Sequence, residues 1–205
     1  MKKLLENKKL EKIIKKNIDK DNELTHFIYQ DKDDKEYFTN RYFILTNYNF
    51  LEKSFDLENQ TTINLTSSKI KMSLNVNNVI NKEYLFSFSI WLNKKNISIL
   101  KGLLATIKNL ENNRAIKLSI IEDRLYFTYN NYNIDFKYSI EIGIDEENNF
   151  KNWKQSFNLE YLLAFLESLA EGKGLDKTYF NFKVASNKPL AVATQNYYFY
   201  LAGLK

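Results

Sequence analysis

The apolar residues of the chain follow two kinds of spacing, which predict a few helices among many strands. Near the N-terminus, Leu10, Ile13 and Ile14 lie three and four positions apart, as on one face of a helix. The same spacing recurs twice later in the chain. Helices are therefore predicted for residues 4–18, 93–109 and 159–170.

Most other apolar residues alternate with polar ones, which is the period of a strand buried on one face. From residue 84 onward the order of elements is strand, helix and three strands, and this order occurs twice. The pattern predicts an α+β fold with two domains, residues 1–83 and residues 84–205, of which the second consists of two βαβββ halves. Strands are predicted for residues 25–29, 37–46, 55–57, 62–65, 70–76, 84–92, 115–121, 125–129, 134–142, 153–157, 179–184, 190–193 and 197–201.

A charged run between the first two predicted strands, Asp31 to Lys35, resembles part of a calcium-binding loop. The glycine that such a loop needs at its sixth position and the glutamate at its twelfth are both missing. We therefore expect an exposed hairpin turn.

The formal net charge of +5 is concentrated at the N-terminus. Residues 1–20 contain eight lysines and three acidic residues, so the rest of the chain is neutral overall. On each of the first two predicted helices, the apolar residues share one face and the lysines lie away from it. The apolar residues of the second helix are Ile97, Leu100, Leu103, Leu104 and Ile107. The lysines concerned are Lys8, Lys9, Lys12, Lys15 and Lys16 on the first helix and Lys94, Lys101 and Lys108, seven residues apart, on the second.

Three interpretations of the basic face of the first helix remain open at this stage. It is the solvated side of an ordinary packed helix, a surface that faces phosphates, or a surface that lies on a membrane. The apolar face carries no Trp or Phe anchor, which disfavours the membrane interpretation.

The sequence gives little support to catalysis. It contains no cysteine and a single histidine, His26, which lies in an apolar run and is expected to be a packed or surface residue. Phosphate-binding glycine loops, nucleophile elbows and paired metal-ligand spacings are absent from the sequence. We expect a protein that is not an enzyme, binds no metal or cofactor, and, without a signal peptide or a membrane-spanning run, is soluble and cytoplasmic.

Several short motifs resemble DNA sliding clamps, the bacterial polymerase III beta subunit and its phage relatives. The last clamp domain is matched by Ser-Phe-Asn-Leu-Glu-Tyr-Leu-Leu at 156–163, by Lys-Pro-Leu at 188–190 and by Tyr-Leu-Ala-Gly-Leu at 200–204. The first clamp domain is matched by residues 10–22 together with Tyr-Phe-Thr-Asn-Arg-Tyr at 37–42. The resemblance implies antiparallel sheets on the outside and helices on the inside of a ring.

This chain departs from the clamp pattern in three places. Residues 1–83 contain one predicted helix, so the first domain is expected to be shortened. The tail ends Ala-Gly-Leu-Lys where the bacterial family has a Met-Pro phrase. The third helix carries glutamates, Glu160, Glu167 and Glu171, instead of lysines on its polar side.

The resemblance also implies a function. A homo-oligomeric ring would encircle double-stranded DNA without reading its sequence, and the eight lysines named above would face the phosphates. The ring would close through head-to-tail interfaces and would serve a DNA polymerase, with a clamp loader as a further partner. The short chain indicates a phage or a mobile element. The partner-peptide pocket of the family implies four residues here: Pro189, Leu190, Leu201 and Leu204.

Two other functions remain open from the sequence. One is a clamp-fold adaptor or decoy that binds a replication protein without encircling DNA. The other is a general basic nucleic-acid-binding protein, whose DNA binding would depend entirely on residues 1–20, whereas a clamp would also depend on Lys94, Lys101 and Lys108.

Overall fold

The computed structural model describes residues 3–48, 54–66, 77, 88–110, 115–122, 124–144, 153–169, 179–184, 189–193 and 197–204. Contacts divide the chain into two compact units. The first contains residues 1–85 and 193–200, and the second contains residues 86–192 and 201–205. The division into domains 1–83 and 84–205 stays a prediction, and the predicted strand at 70–76 lies outside the described residues.

In the described part of the first unit, the short helix α1 (Lys8–Lys16) accompanies an antiparallel sheet. The strands of this sheet are β1 (Phe27–Gln30), β2 (Glu36–Thr39), β3 (Phe43–Thr46), β4 (Thr61–Asn64) and β13 (Tyr198–Leu201), most of which belongs to this unit. Its strands follow the order β4-β1-β2-β3-β13, and β1 pairs antiparallel with both β2 and β4. Single 3-10 turns precede the helix at Leu4–Glu6 and precede β1 at Glu23–His26.

Aromatic side chains fill the core of the first unit. The rings of Tyr29 and Tyr37, which are direct neighbours on β1 and β2, stack with centroids 4.7 Å apart. Phe55 meets the edge of Tyr37 at 4.9 Å, and Phe43 packs on Phe199 of β13 at 4.8 Å. Such pairs contribute about 0.5–1.5 kcal/mol each beyond the burial of their area, so strands rich in aromatic residues form this sheet.

Two expectations for the first unit are wrong. Residues 37–46 form a hairpin and not one strand. The chain turns at residues 40–42, because Asn40 Oδ1 accepts hydrogen bonds from the N–H groups of Tyr42 and Phe43, at 3.0 Å each, and Arg41 adopts a left-handed φ of 76°. Residues 55–57 are not a strand in the structure.

The charged turn is also less exposed than its composition indicates. The Lys35 Nζ lies 3.1 Å from Asp31 Oδ2 and also contacts the Ser54 carbonyl oxygen at 3.1 Å. Asp31 in turn accepts the N–H of Asp56 at 3.2 Å, so both ends of the turn are buried under the chain that follows β3. The expected hairpin turn joins β1 and β2, and its tip, Lys32 to Asp34, is exposed. At its base, the buried ion pair of Asp31 and Lys35 anchors residues 54–56.

The second unit contains the repeated order of elements except its last strand, β13, which belongs mostly to the first unit. Its helices are α2 (Lys94–Leu110) and α3 (Leu159–Leu169). The strands are β5 (Phe88–Asn93), β6 (Ala115–Ile121), β7 (Arg124–Asn130), β8 (Asp135–Glu141), β9 (Gly143–Ile144), β10 (Lys154–Asn158), β11 (Tyr179–Val184) and β12 (Leu190–Ala193). The short β9 follows β8 and was not predicted.

The two halves of this unit exchange their first strands. The strand that opens the second half, β10, pairs antiparallel with β6 of the first half, which gives the order β10-β6-β7-β8. The strand that opens the first half, β5, pairs antiparallel with β11 of the second half, within the order β12-β11-β5-β9. Each half therefore completes the sheet of the other. The prediction of an α+β fold with antiparallel sheets and strand-helix-three-strand halves is confirmed.

Candidate nucleic-acid interface

Helix α1 carries the densest basic surface in the described part of the chain, and its start is fixed by a side-chain cap. The Asn7 Oδ1 accepts the backbone N–H groups of Lys9 at 3.1 Å and Leu10 at 3.5 Å, which satisfies donors that have no partner inside a helix. The helix ends where Asn17 donates its backbone N–H to Ile13 and Ile14. Lysines in the last turn complement the negative end of the helix dipole.

Burial divides α1 into two faces. Leu10, Ile13 and Ile14 are at most 4% exposed and anchor the helix in the first unit. Lys15 is held by an ion pair with Glu11 at 2.6 Å, an exposed pair one turn apart. The exposed lysines are Lys8, Lys12, Lys15 and Lys16, whereas Lys9 is half-buried. The structure therefore brings four of the five predicted lysines of α1 together on one solvent-facing surface.

The loop after α1 ties this basic surface to the β2–β3 turn. The side-chain amide of Asn40 approaches Asn17 Oδ1 at 3.5 Å, and Asn22 donates to the Asn40 carbonyl at 3.2 Å. The exposed Arg41 follows directly and adds a positive charge beside the end of α1. Sequence reasoning did not assign Arg41 to the interface, although the residue stands in the turn motif that resembles the clamps.

Histidine 26 supports the same loop. Its Nε2 lies 2.9 Å from the Asp19 carbonyl oxygen, and the ring is buried in the 3-10 turn before β1. Thr25 donates its hydroxyl hydrogen to backbone carbonyls of the same loop. The arrangement is that of a packed structural histidine.

The lysines of α2 lie in a different setting. Lys101 and Lys108 are half-buried, and the Lys108 Nζ forms an ion pair with Glu160 Oε1 on α3 at 2.9 Å. The side chain of Lys94 lies outside the described residues. Because an α-helix turns by 100° per residue, Lys94, Lys101 and Lys108, which are seven residues apart, lie close to one line along the helix. This line runs beside the buried face of α2 and not on the opposite side.

Three apolar residues of α2 are exposed. The buried face consists of Ile97, Leu100, Leu104 and Ile107, each at most 4% exposed. Leu103, which we expected on that face, is 36% exposed, because it lies about 100° around the helix from Leu104. Ile99 and Leu110 are also exposed, at 43% and 66%.

Helix α3 is buried on nearly every side. An asparagine cap, Asn158 Oδ1 accepting the Glu160 N–H at 2.9 Å, starts the helix. The residues from Leu162 to Leu166 are all buried, so burial extends beyond a single face of the helix. Its acidic side chains Glu160 and Glu167 are half-buried. Helix α3 therefore stabilises the second unit and offers no basic surface.

The four residues implied as a partner-peptide pocket have different environments. Leu190 and Leu201 belong to the core, at 3% and 0% exposure, whereas Pro189 is half-buried and Leu204 is 37% exposed. The N–H of Leu204 donates to the Ser156 carbonyl at 2.7 Å, so the C-terminal residues extend along β10. Of the four, Leu204 and Pro189 are the residues with surface to offer a partner.

The described residues contain neither a metal-binding cluster nor a membrane-spanning helix. No group of three His, Cys, Asp or Glu side chains is arranged to hold a metal ion. No described helix is both long and apolar enough to cross a membrane.

Comparison with known proteins identifies the fold. No protein-family model matches the sequence, and no curated protein sequence matches it. Among solved structures, DNA polymerase III subunit beta of Borrelia burgdorferi matches with a TM-score of 0.65 at 13% identity, over 95% of this chain and 61% of that one. The same subunit of Pseudomonas aeruginosa matches with a TM-score of 0.61 at 11% identity, over 87% and 57%.

A eukaryotic clamp matches less closely. Proliferating cellular nuclear antigen of Entamoeba histolytica gives a TM-score of 0.50 at 13% identity, over 83% of this chain and 63% of that one. The chain thus spans about three-fifths of the length of these proteins. The repeated strand-helix-three-strand halves and these matches agree, and the chain therefore has the fold of the DNA sliding clamps.

Proposed function

We propose that the protein is a DNA sliding clamp that acts as a polymerase processivity factor. In this proposal a homo-oligomeric ring encircles double-stranded DNA without sequence specificity, and a DNA polymerase and a clamp loader are its protein partners. The observation that carries the proposal is the exposed basic face of α1, which stands on a chain with the clamp fold. No catalytic step is assigned to the protein.

The physical basis is attraction to phosphates. Lysines on α1 present ammonium groups at the ends of long, mobile side chains, and such point charges attract a phosphate backbone without reading bases. Because counterions are released from DNA, this attraction weakens steeply as salt is added. Contacts of this kind hold a ring near the duplex and still allow it to slide.

Helix α2 contributes less to this surface than the sequence indicates. Lys108 is already neutralised in part by Glu160, and Lys101 is half-buried. We therefore rank the α1 lysines, with Arg41, above Lys94, Lys101 and Lys108 as the DNA-facing residues.

A charge-reversal experiment tests the proposal. Lys8, Lys12 and Lys16 are replaced together by Glu, and binding to a DNA duplex is measured by fluorescence anisotropy at several salt concentrations. We expect binding at least about tenfold weaker at low salt, and a salt dependence flatter by about 2 to 3 units of slope, since each lost phosphate contact removes about 0.9.

A matched variant controls for net charge. Lys117, Lys137 and Lys154 are exposed on the outward face of β6, β8 and β10, and their replacement by Glu gives the same change in net charge. We expect this variant to bind DNA nearly as well as the unmodified protein. Equal losses in both variants would contradict an interface on α1, and circular dichroism shows whether each variant remains folded.

A second candidate function is favoured by the exposed apolar side of α2. A helix that faces DNA gains nothing from Ile99, Leu103 and Leu110 at its surface, whereas a protein partner would bury them. In this alternative the chain is a clamp-fold adaptor or decoy that binds a replication protein without encircling DNA. Recovery of a polymerase or clamp loader by the purified protein, together with no association with DNA, would favour it.

A further inference from the structure

The residues that follow β13 cover an edge of the four-stranded sheet. Strand β10 pairs with β6 over its full length and is the first strand in the order β10-β6-β7-β8, so its far side is an edge of that sheet. At the middle of this edge Leu204 donates its N–H to the Ser156 carbonyl at 2.7 Å. We call residues 202–204 the C-terminal strap. The strap and β10 both belong to the second unit.

The strap lies close to β10 at Gly203. A Cβ at this position would overlap the side-chain amide of Gln155. Glycine, which has no side chain, lets the backbone of the strap approach this closely. The position of the strap on the sheet is therefore matched to the residue that passes over Gln155.

The strap is held much more lightly than β10 itself. In the described part of the chain, a single backbone hydrogen bond joins it to β10. Ala202 and Gly203 are half-buried, and Leu204 is 37% exposed. Segments with few buried contacts open at a much smaller cost in free energy than the whole fold. The strap can therefore leave the edge while β10 stays paired with β6.

An uncovered β10 is suited to pair with a second copy of itself. The backbone groups of an open edge strand are a template for another chain. In an antiparallel pair of β10 strands centred on Ser156, Ser156 lies opposite Ser156 and Lys154 lies opposite Asn158, so no like charges meet. Such a two-fold contact uses the same edge of both chains and closes on itself.

We propose that the C-terminal strap closes the β10 edge against self-pairing, and that release of the strap turns this edge into an interface between two copies of the chain. The strap is a conformational device, because the same backbone groups of Ser156 serve either the strap or the second copy. The inference concerns the second unit alone and does not depend on whether the protein encircles DNA.

The test compares a released strap with a locked one in the full-length chain. Leu204→Pro removes the N–H that binds Ser156, whereas its control, Leu204→Ala, keeps that N–H. Ser156→Cys with Leu204→Cys locks the strap by a disulfide in a chain that otherwise has no cysteine. Facing residues of antiparallel strands have Cα atoms about 4.5–5.5 Å apart, which is within the range that a disulfide spans.

The molecular mass of each variant is measured by light scattering over a range of concentrations. We expect the mass of Leu204→Pro to rise with concentration to about twice that of the unmodified protein, whatever the size of the unmodified assembly. Leu204→Ala and the oxidised double-cysteine variant are expected to keep the unmodified mass. Circular dichroism shows whether each variant remains folded.

A charge on the edge identifies the interface. Ser156→Lys, added to Leu204→Pro, places two lysines opposite each other in the pair and is expected to restore the unmodified mass. The matched control adds Ser119→Lys instead, which puts the same charge on the same face of the sheet but on the inner strand β6. This control is expected to keep the doubled mass.

Three results would overturn the proposal. One is a mass of Leu204→Pro that equals the unmodified mass at every concentration. Another is a doubled mass in the oxidised double-cysteine variant, because association would then not require release of the strap. The third is the same mass after Ser156→Lys as after Ser119→Lys, which would place the contact away from the β10 edge.

Discussion

Lys108 on α2 and Glu160 on α3 join the two helices of the second unit through an ion pair of 2.9 Å between Nζ and Oε1. The two side chains are 27% and 30% exposed, so water screens the pair only in part. Lys108 lies near the end of α2, in the first half of the repeat, and Glu160 lies at the start of α3, in the second half. The pair therefore links the two repeats and partly neutralises one of the lysines predicted to face DNA.

A double-mutant cycle measures this link. Lys108→Ala, Glu160→Ala and the combined variant are unfolded with urea. Because the pair is partly exposed, we expect a coupling energy of about 0.2–1 kcal/mol. A coupling energy near zero would mean that the two side chains meet without stabilising the contact between the helices.

The C-terminal residues give a sharper prediction. A Cβ at Gly203 would overlap the Gln155 side chain, which covers the tail where Leu204 bridges to Ser156. Because the overlapping atoms are the end of a flexible, half-buried side chain, we expect Gly203→Ala to destabilise the protein by about 0.5–1.5 kcal/mol, the cost of moving a side chain off its rotamer. Unfolding by urea checks this value.

The companion variant is Gln155→Ala, which empties the space that the new methyl group needs. In that background Gly203→Ala should cost much less than in the unmodified protein. If the two costs simply add, the overlap with Gln155 is not what excludes a side chain at position 203.

A buried carboxyl in the first unit predicts a dependence of stability on pH. Glu36 is 1% exposed, and its Oε2 accepts the N–H of Leu4 at 2.7 Å. Burial raises the pKa of Glu36 above its ordinary value, and the Leu4 N–H and the charge of Lys3 oppose that rise only in part. Asp34 and Glu6, both negative, act in the same direction as burial.

The sign of the effect follows from linkage. With the pKa raised in the folded state, the folded protein binds more protons than the unfolded one between the two pKa values. The contribution of Glu36 to the free energy of unfolding is therefore fully present below the unfolded pKa and is lost as pH rises through the folded pKa.

The variant Glu36→Gln does not titrate and isolates this effect. We expect the thermal midpoint of the unmodified protein to fall relative to that of Glu36→Gln as pH rises from about 4 to 7. Parallel midpoints across this range, measured by circular dichroism, would show that Glu36 keeps an ordinary pKa.

Local pattern was sufficient to predict most elements of the second unit. The strand predicted at 115–121 matches β6, and the helix predicted at 159–170 agrees with α3 over Leu159–Leu169. Alternation specifies strands well where one face of a sheet is buried, as in β6 and β7. Asn158 is also a recognisable helix cap.

The side of α2 that is covered could not be predicted in the same way. The helix has apolar residues on two lines, one through Ile97 and Leu104 and the other through Ile99 and Leu103. The spacing of apolar residues predicts both lines, but it does not predict which one is buried, because that depends on the elements that pack against the helix. The burial of Lys35 and Glu36 is likewise set by contacts with distant residues, here Ser54 and Leu4.

The central claim is that the protein encircles DNA, and topology tests it most directly. The purified protein is incubated with a nicked circular plasmid and passed through a gel-filtration column at a salt concentration that removes loosely bound protein. A restriction enzyme then linearises half of the sample. We predict that the protein co-elutes with the circle and is released from the linear DNA, because a ring slides off a free end; equal elution with both forms, or with neither, would contradict the account.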